Sequence, residues 1–471
     1  MPGENERKIT LAIATIASFF VPYLTSSITV ALPVIGREFS LDAVSLGWVV
    51  SSYVLSTAIL IVPVGRLADI YGRRRLFLVG IVILTVASLF ASLAWSAASL
   101  VAFRILQGAG GAMIFTTSVA IVTAVYPADG RGRALGITLA SVYAGLSVGP
   151  FIGGILTGFI GWRSIFLAIV PLGVLVVWLT MRSMKVEWID DPHAGFDFTG
   201  SALYAVALFG VMYGLTLVPE PMAAASILLG ALLLGGFLWW EVQCKSPLLD
   251  MSVFHRNLAF AFSNIAALIN YAATYAVAFL LSLYLQYTRG LAPEAAGMIL
   301  VAQPLVQMIF SPSAGRLSDR IEPRIVASAG MSLTAIGLLF FVFLSEETPL
   351  WLIVGVLLVL GLGYALFSSP NTNAIMSSVA PRHYGVASSM VATMRATGQL
   401  ASIAIAMMVF SLFMGRVQVT PEVYPLFLTS VQVAFLILGV LCLIGVFASY
   451  ARGRIREAVE EPVGRRQPSV R

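Results

Sequence analysis

The chain alternates long apolar runs with short polar, charged or proline-containing breaks, and this pattern predicts membrane-spanning helices. A helix of about 20 apolar residues is long enough to cross the hydrocarbon core of a bilayer. Runs of this length recur along the whole sequence, so we predict an all-α polytopic membrane protein. The predicted spans are residues 9–35, 46–65, 76–98, 99–126, 133–160, 162–181, 199–218, 222–240, 258–288, 293–314, 325–344, 350–370, 384–414 and 424–450.

Charged residues avoid these spans. None of the 22 Asp and Glu residues lies deep inside a predicted span, and of the 28 Lys and Arg residues only Arg104 and Arg395 do. The composition agrees, because 59% of the residues are hydrophobic and 11% are charged. A charge in hydrocarbon costs several kcal/mol unless it faces water or a partner, so the two arginines are candidates for function.

The distribution of Lys and Arg predicts the orientation. If the N-terminus is cytoplasmic, 22 of the 28 fall in cytoplasmic loops and tails, while Arg37, Arg163, Arg289 and Arg416 fall outside. This bias follows the positive-inside rule and predicts a multi-pass protein of the cytoplasmic (inner) membrane with both termini in the cytoplasm. The formal net charge of +6 is explained by these basic loops, so no nucleic acid partner is expected.

Enzymes form a second class of function, which the sequence disfavours. It contains no metal-ligand cluster, no nucleotide-binding loop and no set of residues that would form a nucleophile triad. The histidines His193, His255 and His383 fall in predicted cytoplasmic loops without metal-ligand spacing. We therefore expect no enzyme activity, no metal and no cofactor. A third class, a membrane scaffold or receptor, stays open.

An internal repeat divides the chain. The pentapeptide Gly65-Arg66-Leu67-Ala68-Asp69 recurs as residues 315–319, with Ser318 in place of alanine, each time after an even-numbered span. Two six-helix halves in parallel orientation would produce this repeat. The predicted domains are an N-terminal six-helix bundle at 1–182, a linker with two additional helices at 183–250, a C-terminal six-helix bundle at 251–450 and a cytoplasmic tail at 451–471.

The stretch GRLADIYGRRR, at residues 65–75, resembles the signature loop of the major facilitator superfamily. Gly65 and Gly72 would allow a tight cytoplasmic turn, and Asp69 would pair with a nearby arginine to latch one half against the other. A basic loop that only sets topology is the alternative. The predicted gating and coupling residues are Gly65, Asp69, Gly72, Arg73, Asp319, Arg320 and Glu294.

The second copy of this motif departs from the first. Asp319 and Arg320 are present, but Glu322 stands where the first copy has its second glycine.

The fifth span contains GLSVGPFIGG, which resembles the antiporter motif of exporting branches of the superfamily. Glycines four residues apart share one helix face and allow close backbone contact, while a proline removes one hydrogen bond and favours a bend. Generic glycine packing is the alternative. The predicted motif residues are Gly145, Gly149, Pro150, Gly153 and Gly154.

Further segments narrow the resemblance to one branch. RILQGAGGA, at residues 104–112, is similar to the superfamily's fourth-helix arginine motif. MVATMRATGQL around Arg395, FDFTG at 196–200 and PLLDMSVF at 247–254 resemble the fourteen-helix drug:proton antiporter branch. This resemblance implies a major facilitator fold and a monomer that exports amphipathic organic compounds by alternating access. It also implies that a proton gradient drives export.

One departure from the branch concerns the residue that would carry the proton. The branch commonly carries an aspartate in its first helix, whereas here the run LTSSITVALP at residues 24–33 contains no acid. An embedded carboxylate is the simplest proton carrier. The remaining candidates are Asp69, Glu38, Asp42 and Glu294. An exporter or facilitator of neutral or anionic organic solutes or lipids, without proton coupling through helix one, is therefore the alternative function.

Polar residues within the spans are candidates for a substrate cavity at the membrane midplane. Many of them could instead form helix–helix hydrogen bonds, and Arg104 could extend to the outer interface. With two arginines and no acid, such a cavity would favour neutral or anionic compounds over cations. The predicted cavity residues are Arg104, Gln107, Arg395, Gln399, Tyr23, Asn264, Asn270, Tyr271, Tyr275, Gln303, Gln307, Asn371 and Asn373.

Overall fold

The computed structural model describes residues 4–189, 195–244, 246–249, 257–379 and 384–453. These residues contain fourteen helices long and apolar enough to cross a membrane, and each matches one predicted span. The spans are α1 Glu4–Phe39, α2 Ala43–Tyr71, α3 Arg73–Ser92, α4 Ala97–Val125, α5 Gly130–Phe159, α6 Arg163–Ser183, α7 Phe198–Leu217, α8 Pro221–Gln243, α9 Leu258–Thr288, α10 Pro293–Arg320, α11 Pro323–Phe343, α12 Leu350–Ser377, α13 Val386–Phe413 and α14 Pro421–Ala451.

Fourteen crossings are an even number, so the described ends of the chain lie on one side of the bundle, here called the termini side. The opposite side is called the far side. The three histidines, Arg382, most of the predicted tail and the end of the PLLDMSVF segment lie outside the described residues.

Several helices begin at polar residues whose side chains bind the first free backbone N–H groups. Asp42 caps α2 by accepting from the Ser45 N–H at 2.6 Å, and Asn257 caps α9 by accepting from the Phe260 N–H at 2.9 Å. Ser96 and Ser99 form a reciprocal capping box at the start of α4. Such caps stabilise helix starts that would otherwise leave donors unpaired. Asp42 therefore has a structural role.

The signature motif is mostly helical, so the prediction that residues 65–75 form a loop is wrong. Helix α2 continues through Gly65 and Asp69 to Tyr71, and α3 begins at Arg73. Only Gly72 lies between them, with φ 108°, a conformation that strongly favours glycine. The apolar run ends before the helix does, because charged residues can continue a helix once it has left the bilayer.

The two halves use the same helix pairings. In the first half α1 packs on α5, α2 on α4, and α3 on α4 and α6. In the second half α9 packs on α13, α10 on α12, and α11 on α12 and α14. Each pairing recurs eight helices later, as expected for two copies of one six-helix unit with two helices inserted between them.

The inserted pair, α7 and α8, lies at the edge between the halves. The two helices pack on each other, and α7 also contacts α2 of the first half and α13 of the second. Helix α8 presents large apolar side chains outward, including Leu232 and Trp239, each 64% exposed. An apolar outer face of this kind suits contact with lipid.

Close backbone contacts at glycine also repeat between the halves. A Cβ added at Gly80 would lie 3.0 Å from the Gly110 carbonyl oxygen, where α3 crosses α4. A Cβ added at Gly330 would lie 2.7 Å from the Gly363 carbonyl oxygen, where α11 crosses α12. Small residues let membrane helices approach at such crossings, so these glycines set the helix spacing.

We expect Gly363→Ala to destabilise the fold, because its Cβ would lie 2.9 Å from the Gly330 carbonyl oxygen and 3.0 Å from the Thr334 nitrogen. Overpacking of this kind typically costs about 1–3 kcal/mol. The matched control is Gly355→Ala on the same helix, where nothing lies within 4 Å of the added Cβ. The melting temperature of the purified protein should fall for Gly363→Ala only. Equal melting temperatures would contradict the packing.

Candidate functional site

A cavity of about 130 Å³, partly open to solvent, lies between the two halves. Helices α1, α2 and α5 form its wall on the first half, and α9, α10, α12 and α13 form its wall on the second. No charged side chain is among the described residues that line it. They are Thr25, Ser26, Thr29, Val50, Leu146, Pro150, Asn270, Tyr271, Thr274, Tyr275, Ala278, Phe279, Leu300, Gln303, Pro304, Gln307, Tyr364, Ser368, Gln399 and Ile403.

The structure brings six of the predicted cavity residues together in this wall. They come from three helices of the second half, and the pattern of polar residues was sufficient to select them. They are Asn270, Tyr271, Tyr275, Gln303, Gln307 and Gln399. The predicted list missed the hydroxyl residues of α1 and the apolar part of the wall, since such residues are common on any membrane helix.

Four other predicted residues do not line the cavity, so that part of the prediction is wrong. Tyr23 is buried and stacks on Phe19 of its own helix. Asn264 donates to the Phe260 carbonyl one turn earlier. The remaining two are engaged elsewhere in the second half: Asn371 with Ser263 and Arg452, Asn373 with Ser318 and Asp319.

Arg104 lies behind the cavity wall. It has no exposed surface, and its Nε donates to the Val49 carbonyl at 3.2 Å. Its Nη1 donates to Gln107 Oε1 at 3.0 Å, and Gln107 in turn donates to Ser88 Oγ at 2.8 Å. The guanidinium lies 4.5 Å from the ring centroid of Tyr53. The prediction that Arg104 and Gln107 line the cavity is wrong, because these contacts hold them between α2, α3 and α4.

Arg395 lies at the edge of the wall. Its guanidinium stacks at 5.1 Å from the ring centroid of Tyr271, which does line the cavity. Beside it, the Tyr143 hydroxyl and Ser368 Oγ are 3.3 Å apart and join α5 of the first half to α12 of the second. Arg395 is not among the lining residues, so its effect on a substrate would pass through Tyr271.

Helix α9 is interrupted at Tyr275, one of the lining residues. Two polar side chains satisfy the backbone groups on either side of the interruption. The Ala276 N–H donates to Ser402 Oγ at 2.9 Å, and the Tyr364 hydroxyl donates to the Thr274 carbonyl at 3.1 Å. A broken helix is tolerated at membrane depth where neighbours supply such partners. The interruption therefore belongs to the cavity wall.

The far side of the cavity is closed by hydrogen bonds between the halves. Ser282 Oγ donates to the Thr29 carbonyl at 2.7 Å, and Gln286 Nε2 donates to the Val30 carbonyl at 2.9 Å. At the far-side end, Gln418 Nε2 donates to the Ser40 carbonyl at 2.8 Å. These bonds join α9 and the α13–α14 connection of the second half to α1 of the first.

The glycines of the fifth helix pack on two different partners. A Cβ at Gly145 or Gly153 would lie 2.7 Å from an atom of α1, so this face makes close contact with a helix of the same half. A Cβ at Gly154 would lie 2.7 Å from the Pro293 carbonyl oxygen at the start of α10. Gly149 also faces α1, and Pro150, through its carbonyl, faces Gly297 of α10. The motif therefore forms part of the far-side closure.

Comparison with known proteins agrees with this architecture. The sequence matches the Major Facilitator Superfamily over residues 14–262 and again over residues 263–470. The chain belongs to the major facilitator superfamily. It is 31% identical over 394 residues to the riboflavin transporter RibZ of Clostridioides difficile, covering 83% of this chain and 85% of RibZ. It is 33% identical over 408 residues to the multidrug resistance protein Stp of Mycobacterium tuberculosis, covering 85% of this chain and 75% of Stp.

A solved structure supports the same fold. A bacterial homologue of the human lysosomal transporter Spinster, in an inward-facing and unoccupied conformation, aligns with a TM-score of 0.67 at 17% identity. The alignment covers 96% of this chain and 98% of that one. The protein is therefore a multi-pass membrane transporter of small molecules and not an enzyme. The fourteen spans among the described residues agree with the fourteen-helix antiporter branch that the motifs predicted.

Two carboxylates of the first half contact the transporter's signature motif. Asp69 pairs with Arg73 Nη2 at 3.1 Å. Glu187, which follows α6, accepts from the Arg74 N–H at 2.8 Å and fills the space beside Gly72. These contacts join α2, α3 and the end of the first half. That Asp69 latches one half against the other stays a prediction.

In the second copy the corresponding acid has a different partner. Asn373 Nδ2 donates to Ser318 Oγ at 3.0 Å and to Asp319 Oδ1 at 3.3 Å, which joins α10 to α12. Gly315 and Gly65 occupy matching places, since each faces the fourth helix of its own half, at Ser369 and Thr116. A gating role for Asp319 and Arg320 stays a prediction.

Two of the acids considered as proton carriers have contrasting surroundings on the far side. Glu38 accepts from both Nη atoms of Arg163, at 2.6 and 2.9 Å, and from Trp162 Nε1 at 2.7 Å. Glu294, at the start of α10, contacts Gly158 of α5, and its Oε2 is buried without a hydrogen-bond partner among the described residues. Glu38 is therefore saturated, whereas Glu294 has an unused acceptor between the halves.

Arg452 was placed in the predicted tail, but it is 3% exposed and belongs to the packed bundle. It follows the last residue of α14 and donates to Asn371 Oδ1 at 2.9 Å and to Ser263 Oγ at 3.3 Å. Burial lowers the pKa of its guanidinium to about 10, and Glu322 opposes that change. The group stays charged at neutral pH and ties α9, α12 and α14 together. Its position just after an apolar run was the only signal in the sequence.

We expect Gly154→Ala to weaken the far-side closure, because its Cβ would press on the Pro293 carbonyl across the boundary between the halves. The readout is labelling of Thr29→Cys, in the cavity wall, by a membrane-impermeant maleimide applied from the far side, with Cys244 and Cys442 replaced. Labelling should become several-fold faster in Gly154→Ala. The control Gly136→Ala lies on the same helix with nothing within 4 Å and should label like the parent. Equal rates in all three proteins would show that the contact does not hold the closure.

Proposed function

We propose that the protein exports amphipathic organic compounds from the cytoplasm by alternating access of its two halves. The observation that carries this proposal is the cavity between the halves, closed on the far side by contacts of one half with the other. A site at the interface of two repeats is where secondary transporters bind their substrates. The relatives support a small organic substrate, since one is named for riboflavin and another for multidrug resistance.

Neutral compounds suit this cavity better than permanent cations. Its lining contains no carboxylate that could pair with a cation, and two arginines stand near it: Arg395 beside Tyr271, and Arg104 behind the wall. In a medium of low dielectric constant those positive charges repel a cation over several ångströms. The alternative function is a facilitator that transports a neutral solute such as riboflavin without proton coupling. The same uncharged cavity wall and the similarity to RibZ support it.

For proton coupling, we favour Glu294 among the candidate acids. Its Oε2 is buried at the boundary between the halves and has no hydrogen-bond partner among the described residues. Glu294 contacts Gly158 of the other half, so a proton bound to or released from this carboxyl would act on a contact that belongs to the far-side closure. The carboxylate thereby supplies a coupling group that the acid-free run at residues 24–33 of α1 lacks.

The proposed setting follows from the charge bias. The transporter would lie in the cytoplasmic membrane as a monomer, with the termini side in the cytoplasm and the far side outside. Export then requires substrate to enter from the termini side and to leave when the far-side contacts separate.

We expect purified protein in liposomes to transport a neutral planar compound such as riboflavin faster than a dicationic quaternary ammonium biocide. An imposed pH gradient should accelerate transport in the direction opposite to proton flow. Glu294→Gln should lose that acceleration, because the amide cannot release a proton. The matched control Glu422→Gln, an exposed acid near the start of α14, should keep it.

Three results of this experiment would contradict the proposal. If no compound is transported, the remaining function would be that of a membrane scaffold or receptor. Faster transport of the dication would overturn the charge argument. Transport of riboflavin that ignores the pH gradient in the unmodified protein would establish the uncoupled facilitator.

The proposed orientation predicts the behaviour of fused reporters. Green fluorescent protein fused after Arg471, or inserted between His193 and Asp197, should fluoresce, because both points should be cytoplasmic. Alkaline phosphatase fused after Gly415, in the far-side connection between α13 and α14, should be active because that point should be outside. Active phosphatase at Arg471 would reverse the orientation.

A further inference from the structure

Four amide side chains of the second half line the cavity without a hydrogen-bond partner among the described residues. They are Asn270 on α9, Gln303 and Gln307 on α10, and Gln399 on α13. Among the described residues, none of these side chains makes a hydrogen bond, and the buried Nδ2 of Asn270, a residue 3% exposed, lacks an acceptor. Buried polar groups are nearly always paired, so unpaired amides in a cavity wall indicate that a ligand or water completes them.

The wall of the first half has the opposite character. Its three hydroxyl groups donate to carbonyl oxygens of their own helix: Thr25 and Ser26 to Pro22, at 2.9 and 2.8 Å, and Thr29 to Ser26, at 2.6 Å. The rest of this wall is apolar and consists of Val50, Leu146 and Pro150. The unused hydrogen-bonding capacity of the cavity is therefore concentrated on one half.

The chemistry of the amide group limits which ligand can complete it. Each side-chain amide offers two N–H donors and a carbonyl acceptor. A partner that matches such a wall must present donors and acceptors side by side, as lactams, imides and carboxamides do. A quaternary ammonium ion offers neither, and a carboxylate offers acceptors only. Leaving a buried amide unsatisfied costs about 1–3 kcal/mol, which penalises ligands without this edge.

Aromatic residues of the same half favour a flat ligand. Tyr271, Tyr275 and Phe279 lie in the wall with the amides. Aromatic rings pack well against planar groups, in offset or edge-to-face arrangements.

We propose that the cavity selects uncharged planar amphiphiles that carry a lactam, imide or carboxamide edge. The edge pairs with the four amides of the second half, and the apolar part of the molecule lies against the first half. This assignment rests on the proposed function, since it takes the cavity as the transport site, and it adds the substrate class and the orientation of the bound molecule.

The test compares two fluorescent molecules that differ in one hydrogen-bond donor. 4-Amino-1,8-naphthalimide has an imide N–H, and its N-methyl derivative has none. Binding to the purified full-length protein in detergent is followed by fluorescence. The imide should bind about tenfold more tightly, which corresponds to one hydrogen bond of about 1.4 kcal/mol. Equal affinities in the unmodified protein would overturn the proposal without the need for any variant.

Variants then test whether the cavity amides bind the imide edge of the ligand. Gln303→Leu, Gln307→Leu and Gln399→Leu remove amides at nearly constant volume, and each should reduce the preference for the imide over its N-methyl derivative. The control Gln432→Leu makes the same change at an amide outside the cavity, which donates to the Leu344 carbonyl, and should keep the preference. A preference that persists in all three cavity variants would place the imide edge elsewhere and overturn the assignment.

Measurements of binding and of transport distinguish a failure of this assignment from a failure of the proposed function. If the imide preference is present but no compound crosses liposome membranes, the assignment stands and the proposed function fails. If other amphiphiles are transported while the two naphthalimides bind equally, the proposed function stands and the assignment fails.

Discussion

In hydrocarbon, a polar group must find its partner inside the protein, and the arrangement of this transporter follows from that constraint. Regular helices satisfy their own backbones, so departures from regularity are confined to places where neighbours supply partners. The interruption of α9 at Tyr275 is one such place, because Ser402 and Tyr364 bond to the backbone on either side of it. The buried side chain of Arg104 likewise has partners from α2 and α4. The four amides of the cavity wall have no such partner among the described residues.

Alternating access also requires that the far-side closure can be reversed. Three hydrogen bonds to backbone carbonyls, from Ser282, Gln286 and Gln418, join the halves there, together with close packing at Gly154. A hydrogen bond of this type contributes about 0.5–1.5 kcal/mol net. A closure held by a few such bonds can be opened by a ligand or a proton whose binding differs between the two states by a few kcal/mol. Larger apolar interfaces would resist this change.

The sequence predicts the spans well because the bilayer dictates their length and composition directly. It predicts the cavity less completely, because which face of a helix meets the cavity depends on tertiary packing. Asn270 and Asn264 illustrate the limit: both are asparagines of α9, yet the first lines the cavity and the second donates to its own helix. Arg104 was a candidate because of its charge, but buried partners two helices away were invisible in the sequence.

The two copies of the signature motif diverge for a geometric reason. In the first copy a single residue, Gly72, separates α2 from α3, and the turn requires its φ of 108°. In the second copy two residues, Ile321 and Glu322, separate α10 from α11, and both have negative φ, −109° and −51°. The longer connection removes the need for a left-handed residue, so a glutamate is tolerated. The departure from the motif at Glu322 therefore reflects a different turn between the helices.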